Sequence, residues 1–366
     1  MKTGLSPKTR RNISRIIPFG VIWLLVGWII LFTQEVASGS QTSNPNGTIH
    51  LTLEVFVFAS ISVLLLGLLV GFIEIFWLEN VFSNRSLAKE IASKMGFYIL
   101  FFLGVMIVLY PIAASIELDV SPLDAKVWEK FTEWLTGMDF ISTLVTLGFS
   151  LFLSLFYSEI SENLGYGVLT NFFTGKYHIP VEEKRIFMFL DMKSSTTIAE
   201  NLGHISYFEL LKTYYSDFSD AIINNYGEVY QYIGDEIVIS WTYENGIKNN
   251  HCINCFFAMK DSLAKKAKAY QTKFGVAPTF KAGLHYGKVT TGEIGALKKE
   301  IIFTGDVLNT TARIQGLCNS YQVDFIISQE LVSQLNLKND FVTTALGTTQ
   351  LRGKEETVEL VTIARV

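Results

Sequence analysis

Four long apolar runs lie in the first 160 residues of this 366-residue chain and constrain its fold more than any other feature. They begin at Ile16, Val55, Met95 and Phe140. Each run approaches or exceeds the roughly 17 to 25 residues with which a helix crosses a hydrocarbon core. Trp or Tyr lies near several of their ends, as is typical of membrane interfaces. The sequence therefore predicts a four-helix transmembrane domain over residues 1–158.

Basic residues are distributed unevenly among the segments that flank these runs. Five precede the first run and three separate the second from the third, whereas the two other connections hold only Lys126 and Lys130. The positive-inside rule then predicts a multi-pass protein of the plasma or inner membrane, with both termini and the second half of the chain in the cytoplasm. The lipid bilayer is therefore an expected partner. A cleaved signal peptide is the alternative for the first run, because the small residues "VASGS" follow it.

One acid, Glu74, lies inside the second run, near the end that is expected to face the cytoplasm. Acids inside membrane spans can mark an ion or ligand path. At this position we favour a side chain that reaches the lipid headgroups.

The second half of the chain alternates short apolar segments with charged helical patterns. We expect strands at residues 185–190, in the hairpin "EVYQYIG" to "EIVISW", at 278–286, near Ile301, in "VDFIIS" and in a C-terminal pair, and helices at 195–203, 205–225, 247–273 and 306–317. This order indicates an α+β domain over residues 184–366, with helices on one face of a mostly antiparallel sheet. Residues 159–183 are not rich in Ser or Pro, so we interpret them as a coupling segment between the two domains.

The stretch "IFMFLDMKSS" places the acid Asp191 at the end of an apolar strand. Such a residue would either cap the next helix or present a hard oxygen ligand to magnesium. The helix start that follows supplies free N–H groups at Ser194, Ser195 and Thr196, which suit phosphate oxygens. Both interpretations of Asp191 are open at this point.

The dipeptide Gly234-Asp235 lies between two apolar runs and predicts the turn of a β-hairpin. Side chains alternate along such a hairpin, so we expect only one of Asp235 and Glu236 to face a shared site. A hairpin beside the first strand would bring Asp235 next to Asp191. Two converging carboxylates repel each other unless cations bind between them.

In "TGDVLNTTARI", Asn309 and Arg313 are four residues apart and therefore lie on one face of a helix. An amide and a permanently charged guanidinium on one face suit a ribose and a phosphoryl group. The structural alternative is a helix that is capped by Asp306 and carries a solvent-exposed arginine.

These motifs resemble the catalytic domain of class III nucleotidyl cyclases, the adenylate and guanylate cyclase family. The resemblance extends over about the whole second half of the chain, with "FLDM", "YIGDEIV", "GLHYGKVTTGEIG", "TGDVLNTTARI" and "LRG" in the family's order. It implies a ferredoxin-like α+β domain that converts ATP to 3′,5′-cyclic AMP and pyrophosphate in intracellular signalling.

The resemblance also implies two Mg²⁺ or Mn²⁺ ions as cofactors in each active site. Asp191, Asp235 and the backbone carbonyl of Met192 would hold them, in the arrangement expected for in-line displacement between metals about 3.5 to 4 Å apart. The family assembles as a head-to-tail homodimer with shared sites at the interface. The partner chain would therefore supply Asn309 to the ribose and Arg313 to the α-phosphate.

The remaining implied contacts are to the terminal phosphates and to the base. Arg352 stands in the family's usual lysine position and would contact the terminal phosphates. The base-recognising positions hold Gln231 and Ile302, where the family has Lys with Asp or Thr for adenine and Glu with Cys or a small residue for guanine. A glutamine amide pairs with either purine edge. The missing guanine-binding acid favours ATP, with GTP or both nucleotides as the alternative.

Three other interpretations are weaker. A diguanylate cyclase would have glycine in place of Ile233 and no counterpart of the Asn309 and Arg313 helix. A catalytically silent, cyclase-like receptor would have lost an acid, the asparagine or the arginine. A nucleic-acid partner is not expected, because the net charge of −4 is spread over both halves. Cys252 and Cys255, in "CINC", have no second pair and are expected to be core thiols.

Overall fold

The computed structural model describes residues 5–38, 52–78, 87–165, 167–337, 340–351 and 357–366. The chain divides into two compact units, one over Thr9–Gly165 and one that contains Tyr166–Val366. The domain limits expected from the sequence, 1–158, 159–183 and 184–366, stay predictions.

Helices make up the described part of the first unit. They are α1 (Pro7–Ser38), α2 (Leu53–Ile73) with a π-helical turn (Glu74–Leu78) after it, α3 (Leu87–Leu118), α4 (Ala125–Thr136) and α5 (Met138–Leu164). Four segments are long and apolar enough to cross a membrane: Pro7–Thr33, Leu53–Leu78, Gly96–Leu118 and Phe140–Leu164. They cover the four apolar runs of the sequence, except that the third segment begins at Gly96 and its run at Met95.

Helix α4 lies in a connection that the sequence analysis treated as a loop. Val127, Phe131 and Trp134 are buried on one of its faces and pack with Tyr110 of α3. The rings of Trp134 and Tyr110 are stacked, with their centroids 4.5 Å apart. Apolar residues four and three apart are the signal of an amphipathic helix, so the sequence did contain the information.

The interpretation of Glu74 as a headgroup-reaching side chain is wrong. Its side chain is only 8% exposed and forms an ion pair with Lys94. The hydroxyl of Tyr98 donates a second hydrogen bond to it, at 2.9 Å. The acid is therefore satisfied inside the helical unit, because a lysine and a tyrosine of the next helix lie opposite it.

The second unit is built around an eight-stranded sheet. Its strands are β1 (Val181–Met192), β2 (Glu228–Ile233), β3 (Glu236–Thr242), β4 (Phe280–Ile294), β5 (Glu300–Thr304), β6 (Phe325–Ser328), β7 (Phe341–Gln350) and β8 (Thr357–Arg365). The strand order is β2-β3-β1-β4-β6-β8-β7, and β5 pairs with β4. Only the β4–β6 pair is parallel among the described strands. The expected α+β architecture is confirmed.

The helices of this unit are α6 (Val168–Thr174), α7 (Ser195–Asn224), α8 (Tyr243–Ile247), α9 (His251–Phe274), α10 (Asp306–Gly316), α11 (Cys318–Tyr321) and α12 (Gln329–Val332). Helix α7 contains a break at Gly203, with φ 72° and ψ 164°, between the two helices expected there. Helix α9 begins four residues later than expected, because a 3₁₀ turn (Lys248–Asn250) precedes it. Asn249 and Asn250 adopt left-handed conformations at this boundary.

The sheet is covered by helices on both faces, so the expectation of one covered face is wrong. Helices α7 and α9 pack on Met188 and Leu190, whereas α10 packs on Phe187 and Phe189 from the opposite side. All these positions of β1 are buried. A strand that is apolar without alternation is typical of a strand buried on both faces. The run "IFMFL" already contained this signal.

Two glycines of β4 let α10 approach the sheet closely. A Cβ atom on Gly283 would lie 2.4 Å from the backbone nitrogen of Gln315. On Gly287 it would lie 3.1 Å from Cβ of Val307. The helix therefore rests directly on the strand backbone, and its position depends on the missing side chains.

We expect Gly283→Ala to destabilise the second unit, because the new methyl group collides with backbone that cannot rotate away. The expected loss is about 1–3 kcal/mol, as for other overpacked cores, and it is measured by thermal unfolding of the full chain in detergent. Gly316→Ala is the matched control, since a Cβ atom there meets nothing within 4 Å. Equal unfolding temperatures for the two variants would contradict the close approach.

Candidate active site

Asp191 lies at the end of β1, on the face of the sheet that α10 covers. It is directly opposite Glu236 of β3 and Lys281 of β4 in the strand register. Its Oδ2 atom is 3.4 Å from Nζ of Lys281. The side-chain amide of Gln315, at the end of α10, donates to the same oxygen at 3.4 Å. These long contacts hold the carboxyl group in place and leave it 27% exposed.

Asp235 is the second residue of a two-residue hairpin loop. Ile233 pairs with Glu236, and Gly234 has φ 63°, the positive value that favours glycine in such turns. The carboxyl of Asp235 lies within hydrogen-bonding reach of Asp191. Its Oδ2 atom is buried and accepts no hydrogen bond from the described residues. The structure therefore brings together the two acids that the sequence analysis paired.

Burial and mutual repulsion raise the pKa of Asp191. Burial is the largest cause, followed by the hydrogen bond and the charge of Asp235, while Lys281 opposes the shift. The pKa of Glu236 is also raised, by burial and then by Asp191 and Asp235. The charges of both aspartates thus act on Glu236, although strand alternation predicted that only one hairpin acid would face the site. The alternation does not apply to Asp235, because it belongs to the loop.

The donor set suits a hard divalent cation. Carboxylate and carbonyl oxygens are the ligands that Mg²⁺ and Mn²⁺ prefer. The unpartnered Oδ2 of Asp235 is a buried negative atom that such an ion would satisfy. Met192 is the last residue of β1 and its side chain is in the core, so only its backbone is available as a ligand. The described residues contain no group of three or more His, Cys, Asp or Glu around one point, so other ligands would be backbone, substrate or water.

The turn after β1 carries the expected phosphate-binding groups. Ser194 is the N-cap of α7, with φ 56° and no capping side-chain hydrogen bond. Its carbonyl accepts the first helical bond, from Ile198 N at 3.0 Å. Ser194 and Thr196 are exposed, and Ser195 is half-buried. Asp191 is a strand residue and not the cap, so the capping interpretation of Asp191 is wrong.

Asn309 and Arg313 lie on a different face of α10 from the one that packs on the sheet. Val307, Thr310 and Ile314 are buried, whereas Asn309 is exposed and Arg313 is half-buried. Within the described chain, no hydrogen bond or ion pair joins either residue to Asp191 or Asp235. One chain therefore assembles the two acids but does not bring the asparagine and the arginine to them.

The two positions that are expected to recognise the base lie on strands that contact each other. Gln231 is exposed on β2 and Ile302 is half-buried on β5. Their chain neighbours Tyr230 and Phe303 meet, with ring centroids 4.8 Å apart. The backbone N–H of Phe303 donates to the Tyr230 hydroxyl at 3.3 Å. Arg352, expected at the terminal phosphates, lies outside the described residues.

Several residues that were not predicted from the sequence lie around the two acids. Lys281 and Gln315 contact Asp191 directly. Tyr207 and Tyr215, both in α7, have raised pKa values because they are partly buried and lie near Asp235. Both phenols therefore stay protonated and can donate. Lys281 had a sequence signal, an isolated charge in the apolar strand "FKAGLH", but the tyrosines had none.

Comparison with known proteins identifies the domain. Residues 180–363 match the family model described as the adenylate and guanylate cyclase catalytic domain. The chain belongs to this family. The matched region contains both converging acids, the turn at Ser194, Ser195 and Thr196, and helix α10.

Several relatives share this domain. Adenylate cyclase 2 of Rhizobium meliloti (strain 1021) is 34% identical over 181 residues, which are 50% of this chain and 50% of that protein. Receptor-type guanylate cyclase gcy-23 of Caenorhabditis elegans is 28% identical over 171 residues, 46% of this chain and 16% of that protein. A solved bacterial light-regulated adenylyl cyclase has the same fold, with a TM-score of 0.53 and 20% identity over 61% of this chain and 65% of that one. The chain thus spans half or less of the lengths of these two relatives.

We expect Asp191→Asn to stabilise the protein when divalent ions are removed with a chelator. The pKa of Asp191 is higher in the folded protein than in the unfolded chain. The stability that the protonated Asp191 contributes is therefore fully present below the pKa of the unfolded chain, and it is lost as the pH rises through the pKa of the folded protein. At pH 7.5 the charged pair therefore destabilises the chelated protein, and the neutral amide should raise its unfolding temperature by about 1–4 °C.

Thermal unfolding of both proteins at pH 7.5 and at pH 4 measures this effect. The difference should shrink at pH 4, where the carboxyl is already protonated in more of the molecules. A larger benefit of the amide at pH 4 would contradict the repulsion between the acids.

Proposed function

We propose that this protein is a membrane-bound cyclase that converts ATP to 3′,5′-cyclic AMP and pyrophosphate. The observation that carries the proposal is the convergence of Asp191 and Asp235, with one buried oxygen lacking a donor, beside the phosphate-binding turn. Family membership supports the same reaction class. The adenylate cyclase of Rhizobium meliloti, 34% identical, favours ATP as the substrate.

The residues have distinct roles in this proposal. Asp191, Asp235 and the Met192 carbonyl hold the divalent ions, which when bound stabilise the negative charge that develops on the reacting oxygens. The N–H groups of the turn at Ser194, Ser195 and Thr196 donate hydrogen bonds to the phosphate oxygens. Lys281, beside Asp191, adds a positive charge next to the same phosphates.

The reaction exchanges one phosphorus–oxygen bond for another. The ribose 3′-oxygen forms a bond to the α-phosphorus, and the bond from that phosphorus to the β-phosphate oxygen breaks, which releases pyrophosphate. The proton of the 3′-hydroxyl passes to Asp191 or to the substrate's own phosphate. Asn309 orients the ribose, and the guanidinium of Arg313 offsets the charge that develops on the α-phosphate.

A homodimer with shared sites accounts for the position of α10. Asn309 and Arg313 are not joined to the acids of their own chain, and Arg313 forms no ion pair with a described residue. A second copy would supply both groups across the interface. The positive charge of Arg313 would then meet a phosphate that is held by its partner's acids.

The base preference is proposed as ATP over GTP. Gln231 is exposed on β2 and is neutral, so this position lacks the acid that would hold the guanine amino and imino groups. Ile302 offers only an apolar contact. Discrimination should therefore be modest, because strong rejection of the wrong base requires polar groups that this base leaves unpaired.

The membrane assignment extends this proposal to the whole chain. The four apolar helices would anchor the protein in the plasma or inner membrane, with both termini on the cytoplasmic side. Residues 159–183 would couple the two parts, since the carbonyl of Tyr177 accepts from Glu293 N at 3.0 Å. Gly292, next to Glu293, is directly opposite Ile302 in the β4–β5 register. The coupling segment therefore touches the strand pair that carries a base-recognising position.

The proposal predicts that the full chain in detergent, given ATP and Mn²⁺, produces cyclic AMP. Asp191→Ala should lower the rate at least about a hundredfold, the scale on which charge-stabilising groups act. Product chromatography measures the rate, and equimolar GTP in the same reaction measures base choice.

The matched control is Asp261→Ala, which removes an exposed aspartate that pairs with Arg365, outside the active site. It should leave the rate within about twofold of the unmodified protein, as is usual for a surface substitution. Equal rates for Asp191→Ala and Asp261→Ala would refute the proposed chemistry. A cyclic dinucleotide made from GTP would refute it in favour of a diguanylate cyclase.

The shared site predicts complementation between two inactive variants. Asp235→Ala removes an acid and Arg313→Ala removes a group that the partner supplies, so a mixed dimer should contain one intact site. Coexpressed, differently tagged variants, purified through both tags, should recover up to about half of the normal activity, since one of two sites is restored. A doubly tagged dimer without activity would argue against the shared site.

A further inference from the structure

Tyr215 makes a hydrogen bond to the loop that carries Asp235. Its hydroxyl donates to the carbonyl oxygen of Gly234 at 2.6 Å and lies 3.5 Å from the carbonyl oxygen of Glu236. Its ring packs against Tyr232 of β2, with the centroids 4.5 Å apart. Helix α7 thus contacts the tip of the β2–β3 hairpin through the side chain of Tyr215.

The contacted carbonyl belongs to the peptide group that joins Gly234 to Asp235. In a two-residue hairpin loop, rotation of this peptide interconverts the two common turn types, I′ and II′, and changes the φ of the residue that follows. Gly234 permits both forms at the first loop position, whereas type I′ also requires a positive φ at the second. Asp235 is not among the described residues with a positive φ, so the loop has the II′ form. A donor fixed on the helix stabilises one of the two turn forms by binding the carbonyl in one orientation.

The form of the turn matters because Asp235 is the residue that follows this peptide group. Its carboxyl lies against Asp191, and one of its oxygens is buried without a donor. No hydrogen bond to a described residue holds that oxygen where it is, while repulsion between the acids favours turning it away. A restraint on the preceding peptide is therefore needed to keep the pair converged before a cation arrives.

We propose that Tyr215 is a positioning residue whose hydroxyl holds the Gly234–Asp235 peptide in the orientation that keeps the carboxyl of Asp235 facing Asp191. It acts through the loop and does not touch substrate. The inference rests on the proposed function only in that the converged acids are taken to bind a divalent ion.

The chain offers a matched control at the neighbouring position. Tyr214 is fully buried, and its hydroxyl has no hydrogen-bond partner among the described residues. Tyr214→Phe and Tyr215→Phe each remove one oxygen from the same helix and keep the ring. Only the second removes a donor to the hairpin.

The test uses the full chain in detergent and Mn²⁺ as the probe. Free Mn²⁺ measured by electron paramagnetic resonance gives the affinity without any turnover. Losing one hydrogen bond should weaken Mn²⁺ binding by roughly two- to tenfold in Tyr215→Phe, the range for a single neutral bond. Tyr214→Phe should bind Mn²⁺ like the unmodified protein.

Hydrogen exchange of the metal-free protein provides the second measurement. Amide hydrogens of Tyr215→Phe should exchange faster in peptides that cover residues 228–242. Exchange in β4 and β6 should stay unchanged, and so should the unfolding temperature. Because this readout needs neither metal nor nucleotide, it stands even if the protein proves to make no cyclic nucleotide.

Two results would overturn the proposal. One is a Tyr215→Phe protein that matches Tyr214→Phe in both Mn²⁺ affinity and hairpin exchange. The other is faster exchange throughout the second unit with a lower unfolding temperature, which would show that the hydroxyl supports the fold as a whole. Loss of cyclase activity in Tyr215→Phe without either change would also count against it.

Discussion

Repulsion between two half-buried carboxyl groups is the constraint around which the second unit is organised. Asp191 ends a strand that is apolar on both faces, and Asp235 is brought against it by a hairpin loop. Burial raises the pKa of Asp191, and so does the neighbouring acid. The fold supplies the free energy that holds the pair together, through the core on both faces of β1. A site built in this way is poorly satisfied on its own and favours a cation.

Much of this arrangement could be predicted from the sequence. Strand positions, the hairpin and the pairing of Asp191 with Asp235 followed from apolar patterning and from turn chemistry. The second covered face was not predicted. The signal for it was present, because the strand "IFMFL" is apolar without alternation. Lys281 and Gln315 were missed because they reach Asp191 across the sheet and from the end of α10. Such contacts depend on register and on helix placement, which local patterns do not determine.

The helical unit shows the same division between composition and placement. Hydropathy located four helices that are long and apolar enough to cross a membrane, and spacing alone would have located α4. What a hydropathy profile cannot give is the partner of a polar group. Glu74 was identified as unusual, yet only the structure shows that Lys94 and Tyr98 satisfy it. Lys130 and Glu117 form a second enclosed pair in this unit, 2.5 Å apart. Each pair joins two consecutive helical segments of this unit.

Gly283 and Gly287 take no part in chemistry, yet they set the depth at which α10 rests on the sheet. That depth fixes how far Asn309 and Arg313 stand above the sheet surface. Some positions without a chemical role should therefore tolerate substitution as poorly as the reactive residues do. A methyl group added beneath the helix would tilt or lift the face that meets the second copy in the proposed homodimer, while every acid, amide and guanidinium stayed in the sequence. Inspection of the reactive side chains alone would not reveal such a displacement of the helix.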